Sequence, residues 1–178
     1  MPTEKFKALV HHIVHECQEH PHRLGAIRLN KALWYTDVAA YRANGASVTA
    51  ETYVKRRMGP VPMHILATLA ELQEEGAIHV VEPTGQYDAR KFISLVPPNP
   101  DVLSADEKLL ANNVLSAVLG YTANAISEMT HDIIWDAADE GDEIPMYATL
   151  ASEKGTVTDE VKAWAASVVA EAEARQAA

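Results

Sequence analysis

The chain has 178 residues, 48% of them apolar, and a formal net charge of −10. That length suits one domain, burying roughly 70% of the surface its unfolded chain exposes, and the apolar share argues against disorder. No apolar run approaches the ~20 residues that cross a bilayer, and the lone Cys17 leaves no intrachain disulfide to form. The N-terminal "MPTEKFKALVHHI" lacks the apolar core and small-residue cleavage site of a signal peptide. A soluble cytoplasmic protein is therefore expected. The charge is unevenly spread: residues 23–65 sum to +5 and the remainder to −15. Such asymmetry bears on partners and steering more than on fold.

Phe6, Leu9, Val10, Ile13, Val14 and Cys17 recur at helical spacing and predict a first helix that ends before Pro21. Cys17 falls on the apolar stripe, which makes it a core residue rather than a nucleophile. His11 and His15, four apart, fall opposite that stripe on a face expected to be exposed. Such a pair can grip a divalent ion, but a catalytic zinc needs a third protein ligand. "HHIVHE" is not the metalloprotease pattern either, so plain surface histidines are the expectation and no metal site is assigned.

A second helix is predicted from about Leu24 to Asn44, with Gly45 as its stop. Its middle, "ALWYTDVAAY", is apolar on nearly every face, which places it at the centre of a bundle. Asp37 interrupts that run and needs partners if buried. An extended "TYVKR" follows, and the Gly59-Pro60-Val61-Pro62 turn is expected to open a third helix over residues 63–75, stopped by Gly76. "AIHVVE" and "RKFISLV" flank a Pro/Gly loop and predict a hairpin. After "PPNP", Ser104 and Glu107 make a capping-box pattern before a helix ending near Gly120. Shorter helical pieces are expected at about 122–129 and 130–138, and a final helix at about 158–175, with fraying after Ala174.

The expected fold is therefore mainly α: a helical domain over residues 1–150 with a small hairpin, and a C-terminal extension, 151–178, packing on it. Helix, helix, strand, helix, hairpin over residues 1–96 is also the element order of a winged helix-turn-helix, whose helix after the strand enters the major groove. Here that helix holds Glu71, Glu74 and Glu75 and no Lys or Arg. Phosphate neutralisation by basic side chains supplies essentially all non-specific DNA affinity. A nucleic-acid-binding transcription regulator is thus the alternative reading and not the preferred one.

Two charged segments stand out. Lys55, Arg56 and Arg57 precede the Gly-Pro turn, and a helix N-terminus beside them would make an anion site for a phosphate or a partner's carboxylate. Residues 128–143 carry seven acids and no Lys or Arg, among them Asp132, Asp136, Asp139 and Glu140. The acids do not alternate as in a calcium loop. An acidic docking patch is the sharper reading, a solvated face the plainer one. Trp135 either anchors that patch or packs in the core, and the core is preferred. No nucleophile elbow, P-loop or dinucleotide fingerprint occurs, so neither an enzyme nor a cofactor is expected.

The stretch from Arg28 to Ile78 resembles the core of the Panacea domain, the antitoxin family also described as SocA-like phage-associated proteins. The resemblance rests on Leu29, Lys31, Leu33, Tyr35, Tyr41 and Gly45, then Thr49, Tyr53 and Gly59-Pro60-Val61, and then Leu72, Gly76 and Ile78. The later "LSADEK" and "THDIIWDAA", with His131 and Trp135, are similar to the family's C-terminal half, extending the likeness over roughly residues 24–150. Ala32 and Trp34 depart from the residues usual in the family, and the last 25 or so residues have no counterpart. The resemblance implies a cognate toxin as partner, neutralised by direct contact, and carries no catalytic set. Lys55, Arg56, Arg57, Asp132, Trp135, Asp136, Asp139 and Glu140 are the expected contact residues, acting as two surfaces of opposite charge. Membrane attachment is not expected, and self-association is left open.

Overall fold

The computed structural model describes residues 2–85 and 88–151. The final helix expected at 158–175, and the extension that contains it, lie outside the described residues. Helix α1, Glu4–Glu16, starts where the Thr3 side chain accepts from the Phe6 N–H at 3.1 Å. Its apolar stripe is wholly buried and Cys17 is 5% exposed, so the cysteine is a core residue. Burial raises its thiol pKa, which keeps it protonated.

Helix α2, Gly25–Asn44, runs through the middle of the molecule and touches α1, α4 and α5 (the last two defined below), along with a hairpin and a C-terminal turn. It ends at Gly45 in the left-handed region, φ 74°, as its sequence predicts. Asp37 is buried completely and has the partners that burial demands. It accepts from the Thr49 N–H at 3.0 Å, the Tyr53 hydroxyl at 2.8 Å and the Thr49 hydroxyl. Burial raises its carboxyl pKa, and those donors work in the opposite direction.

The Gly-Pro segment corrects the sequence reading. It does not open a helix; it is strand β2, Gly59–Pro62, paired antiparallel with β1, Tyr53–Arg56. Two prolines fit because they occupy alternate positions. The Met63 N–H donates to Thr52 O at 2.8 Å, so residues of Met63's parity turn their N–H groups toward β1. Pro60 and Pro62 have the opposite parity, and the N–H groups they lack would face away from the ladder. Helix α3 begins only at Ile65 and runs to Glu74.

Strands β3, Ile78–Val81, and β4, Lys91–Ser94, form the expected hairpin. The element order is close to the one expected, but β1 does not join this hairpin: the two sheets are separate. Helix α4, Ala105–Leu119, carries the Ser104–Glu107 capping box with both hydrogen bonds formed. Helices α5, Ala123–Glu128, and α6, Ile133–Ala137, follow, and a 3-10 turn covers Met146–Leu150. The fold is mainly helical with small β elements.

The histidines of α1 also differ from expectation. His11 and His12 are 7% and 6% exposed and form packing contacts. His11 Nε2 meets Val96 O at 3.0 Å, His12 Nε2 meets Asn112 Oδ1 at 2.8 Å, and His15 Nδ1 meets Ser94 Oγ at 3.0 Å. They tie α1 to the end of β4 and to α4, because the bundle covers both faces of the first helix. Burial lowers the His11 pKa, favouring its neutral form. Among the described residues no group of three or more His, Cys, Asp or Glu side chains could hold a metal ion.

Candidate functional site

Residues 141–144 lie along the free edge of β1. The Lys55 N–H donates to Asp142 O at 2.8 Å, Gly141 N–H to Lys55 O at 3.0 Å, and Ile144 N–H to Tyr53 O at 2.7 Å. Val54 and Glu143 form the bridge between them. Strand β1 is therefore the middle of a three-stranded ribbon, and the end of the acidic segment is one of its edges. Beneath it Trp34, Val38, Tyr53 and Ile144 make a second small core, with Trp34 edge-on to Tyr53 at 4.9 Å.

This pairing changes what the two charged segments are. They meet each other instead of forming separate surfaces. Lys55 Nζ stands 3.9 Å over the Trp135 ring and donates to Ala138 O at 2.8 Å. Arg56 approaches Glu140 at 3.8 Å, and its carbonyl accepts from Trp135 Nε1 at 3.2 Å. Trp135 is half-buried, with His131 stacked on it at 3.9 Å. Asp132 is the N-cap of α6, accepting from Ile134 and Trp135. The Asp139 N–H bonds to Asp142. Arg57, at the hairpin turn, and Asp136 are exposed.

The anion site expected beside a helix N-terminus does not form. Strand β2 intervenes between the basic triplet and α3, and at α3's start His64 Nδ1 faces the buried Glu51 carboxylate at 2.9 Å. Glu71 on α3 and Glu75 just after its end reach toward Lys7 of α1.

What fixes the hairpin is a contact to α2. Gly59 adopts φ 96°, and a Cβ there would fall 2.1 Å from Lys31 Nζ and 2.2 Å from Thr130 Oγ1. Only glycine admits the Lys31 side chain this closely. Lys31 is 1% exposed and its Nζ has no hydrogen-bond partner among the described residues. Burial lowers its pKa to about 7. The Ser127 hydroxyl donates to Met58 O at 2.8 Å and ties the turn to α5.

Two clefts adjoin the ribbon. One, of about 330 Å³, lies by Asn30, Arg56, Met63, Leu66 and Gly141; the other, of about 530 Å³, lies by Ile133, Ala137, Asp142 and Tyr147. Ile133, Leu66 and Tyr147 are each about two-thirds exposed or more, at 71%, 67% and 67%. Sequence patterning identified the charged side chains here but missed these apolar ones: Leu66 falls off the Ile65–Leu69–Leu72 stripe of α3, and Ile133 and Tyr147 sit in elements too short to show a stripe. It also missed the Lys31–Gly59 contact, for which the left-handed glycine after a basic turn was the one available signal.

A family model described as "Antitoxin SocA-like, Panacea domain" matches residues 29–136. Comparison with curated proteins and with solved structures finds no match.

Proposed function

The chain belongs to the SocA-like, Panacea-domain antitoxin family, and on that premise we propose that it neutralises a cognate toxin protein in the cytoplasm by direct binding, without turnover. The observation that supports this reading most is the ribbon face, where exposed Ile133, Leu66 and Tyr147 lie beside charged groups already half-compensated by one another. Apolar anchors within a polar rim are what protein recognition uses. The charged residues, the exposed Arg57 and Asp136 among them, then act at the rim, setting partner choice and approach.

Co-expression with the product of the neighbouring reading frame tests the proposal. Rescue of growth and co-elution of the two chains are expected. Arg57→Glu should weaken rescue while shifting stability by less than about 0.5 kcal/mol, since its side chain is surface. Asp136→Lys combined with Glu140→Lys should weaken rescue further. Undiminished rescue by both variants would remove the ribbon as the interface, and turnover of a substrate by the purified chain would remove the function.

A further inference from the structure

The three-stranded ribbon has two outer edges, and they are finished differently. Along β2 the outward positions are Pro60 and Pro62, which have no N–H to offer. Residues 141–144 form the other edge. There the Lys55 N–H reaches Asp142 O and the Ile144 N–H reaches Tyr53 O, on either side of the Val54–Glu143 bridge. That spacing makes Val54 and Glu143 a wide, non-hydrogen-bonded pair of an antiparallel ladder. The N–H and C=O of Glu143 therefore point away from β1, and neither has a partner among the described residues. Pro145 lacks an N–H and its carbonyl accepts from Ala148 at 3.0 Å, so the open edge is short and centred on Glu143.

The larger of the two clefts beside the ribbon, about 530 Å³, lies against this edge. Ile133 and Ala137 of α6, Ile144 and Tyr147 form part of its wall. An open strand edge with an apolar cleft beside it is the arrangement that strand addition uses: main-chain bonds hold the added segment and alternate side chains enter pockets.

We propose that this edge receives an extended segment of the partner protein as a fourth strand, with a basic residue opposite Glu143 and apolar residues on either side of it. The toxin supplies that segment, and in this the proposal rests on the antitoxin reading.

Pleating selects the apolar positions. The added residue opposite Glu143 exchanges both hydrogen bonds with it, and its side chain falls on the same face as that of Glu143. Its two neighbours fall on the face that carries Ile144, and Ile144 is part of the cleft wall.

Charge selects the basic position. Asp136, Asp139, Glu140, Asp142 and Glu143 are all exposed. Arg56 approaches Glu140 at 3.8 Å, whereas Asp136, Asp139 and Glu143 have no ion pair among the described residues. A second copy of this chain is the wrong occupant, because two such edges would set acidic residues against each other, and like charges directly opposite destabilise a ladder. A segment of opposite sign is favoured instead.

The test uses the full chain and an acetylated, amidated seven-residue peptide that alternates lysine and valine, read by backbone-amide and methyl NMR. Saturable shifts of the Glu143 amide and the Ile133 methyls are expected at up to about 1 mM peptide. N-methylation of the lysines removes the donors that face Glu143 and should weaken binding about ten-fold. N-methylation of the valines, whose N–H groups face away, leaves charge and composition the same and should weaken it less than about three-fold. Equal weakening by the two, shifts at another surface, or no shifts at all would overturn the proposal. On the protein side, Glu143→Pro deletes the outward N–H and Glu143→Ala keeps it. The proline variant should bind the unmodified peptide about ten-fold more weakly than the alanine variant, and should rescue growth less well in co-expression. Equal rescue by the two would remove this edge as the toxin's seat. If the peptide binds at Glu143 and the wild type does not rescue, the antitoxin reading falls and the edge stands. Rescue by the wild type without peptide binding sinks the edge alone.

Discussion

Helix α2 buries two groups of opposite charge six residues apart, and it treats them differently. Asp37 accepts hydrogen bonds from Thr49 and Tyr53. Lys31, equally buried, has none among the described residues and packs against Gly59. A buried carboxylate can stay only if donors replace water, whereas an amine can shed its proton and pack as a neutral chain. The carboxylate thus organises a network that fixes the loop into β1. The amine marks the point where the hairpin meets the bundle.

The largest effect should come from Asp37→Ala. It leaves the Tyr53 hydroxyl and the Thr49 donors buried without an acceptor, for an expected loss of about 4 kcal/mol in denaturant unfolding. A loss under about 1 kcal/mol would mean that the network relaxes without cost. Gly59→Ala comes next. It adds a methyl on top of Lys31 Nζ at a positive φ, and about 3 kcal/mol of destabilisation is expected. Pairing it with Lys31→Met should recover part of that loss and none of the backbone strain, a coupling that a double-mutant cycle measures.

Lys31→Met alone has the smallest effect and the opposite sign. Removing an unpartnered amine from a buried site should stabilise by about 1–2 kcal/mol at neutral pH. The pH dependence follows from its pKa. The unfolded chain holds the proton up to 10.5, the folded chain releases it at about 7. The unfolded state therefore binds more protons between those values, so stability rises with pH there and is lost as pH falls through 7. Cys17, Tyr35 and Tyr53 have raised pKa values and act in the other direction at higher pH. Melting curves from pH 7 to about 8.5 isolate the lysine. Wild type should gain stability across that range and Lys31→Met should not.

The helices were legible because their signals are local. The stripe of α1, Gly45 after α2, and the Ser104–Glu107 box each fix an element without reference to the rest of the chain. The hairpin at Gly59 was not, because two prolines in four residues suggest a break, and their tolerance depends on which side of the strand faces a partner. Residues 141–144 gave no signal at all, since a strand that pairs with β1 across some 90 residues of sequence is specified by its neighbour. The charged residues of the candidate face were found, yet their mutual engagement was hidden by the same long-range pairing. His11 and His12 were misplaced for a related reason: a helix covered on two faces buries residues that a single stripe assigns to water.

The seam between β1 and residues 141–144 also bears on where this protein can be cut. The stretch that carries the family signature stops at residue 136, short of the backbone that zips onto Tyr53 and Lys55. A fragment trimmed to that signature would expose the raw margin of β1, a sticky template for neighbouring chains, and would lose the lid over Trp34. The backbone pairing of β1 reaches past the recognisable stretch, as far as Ile144.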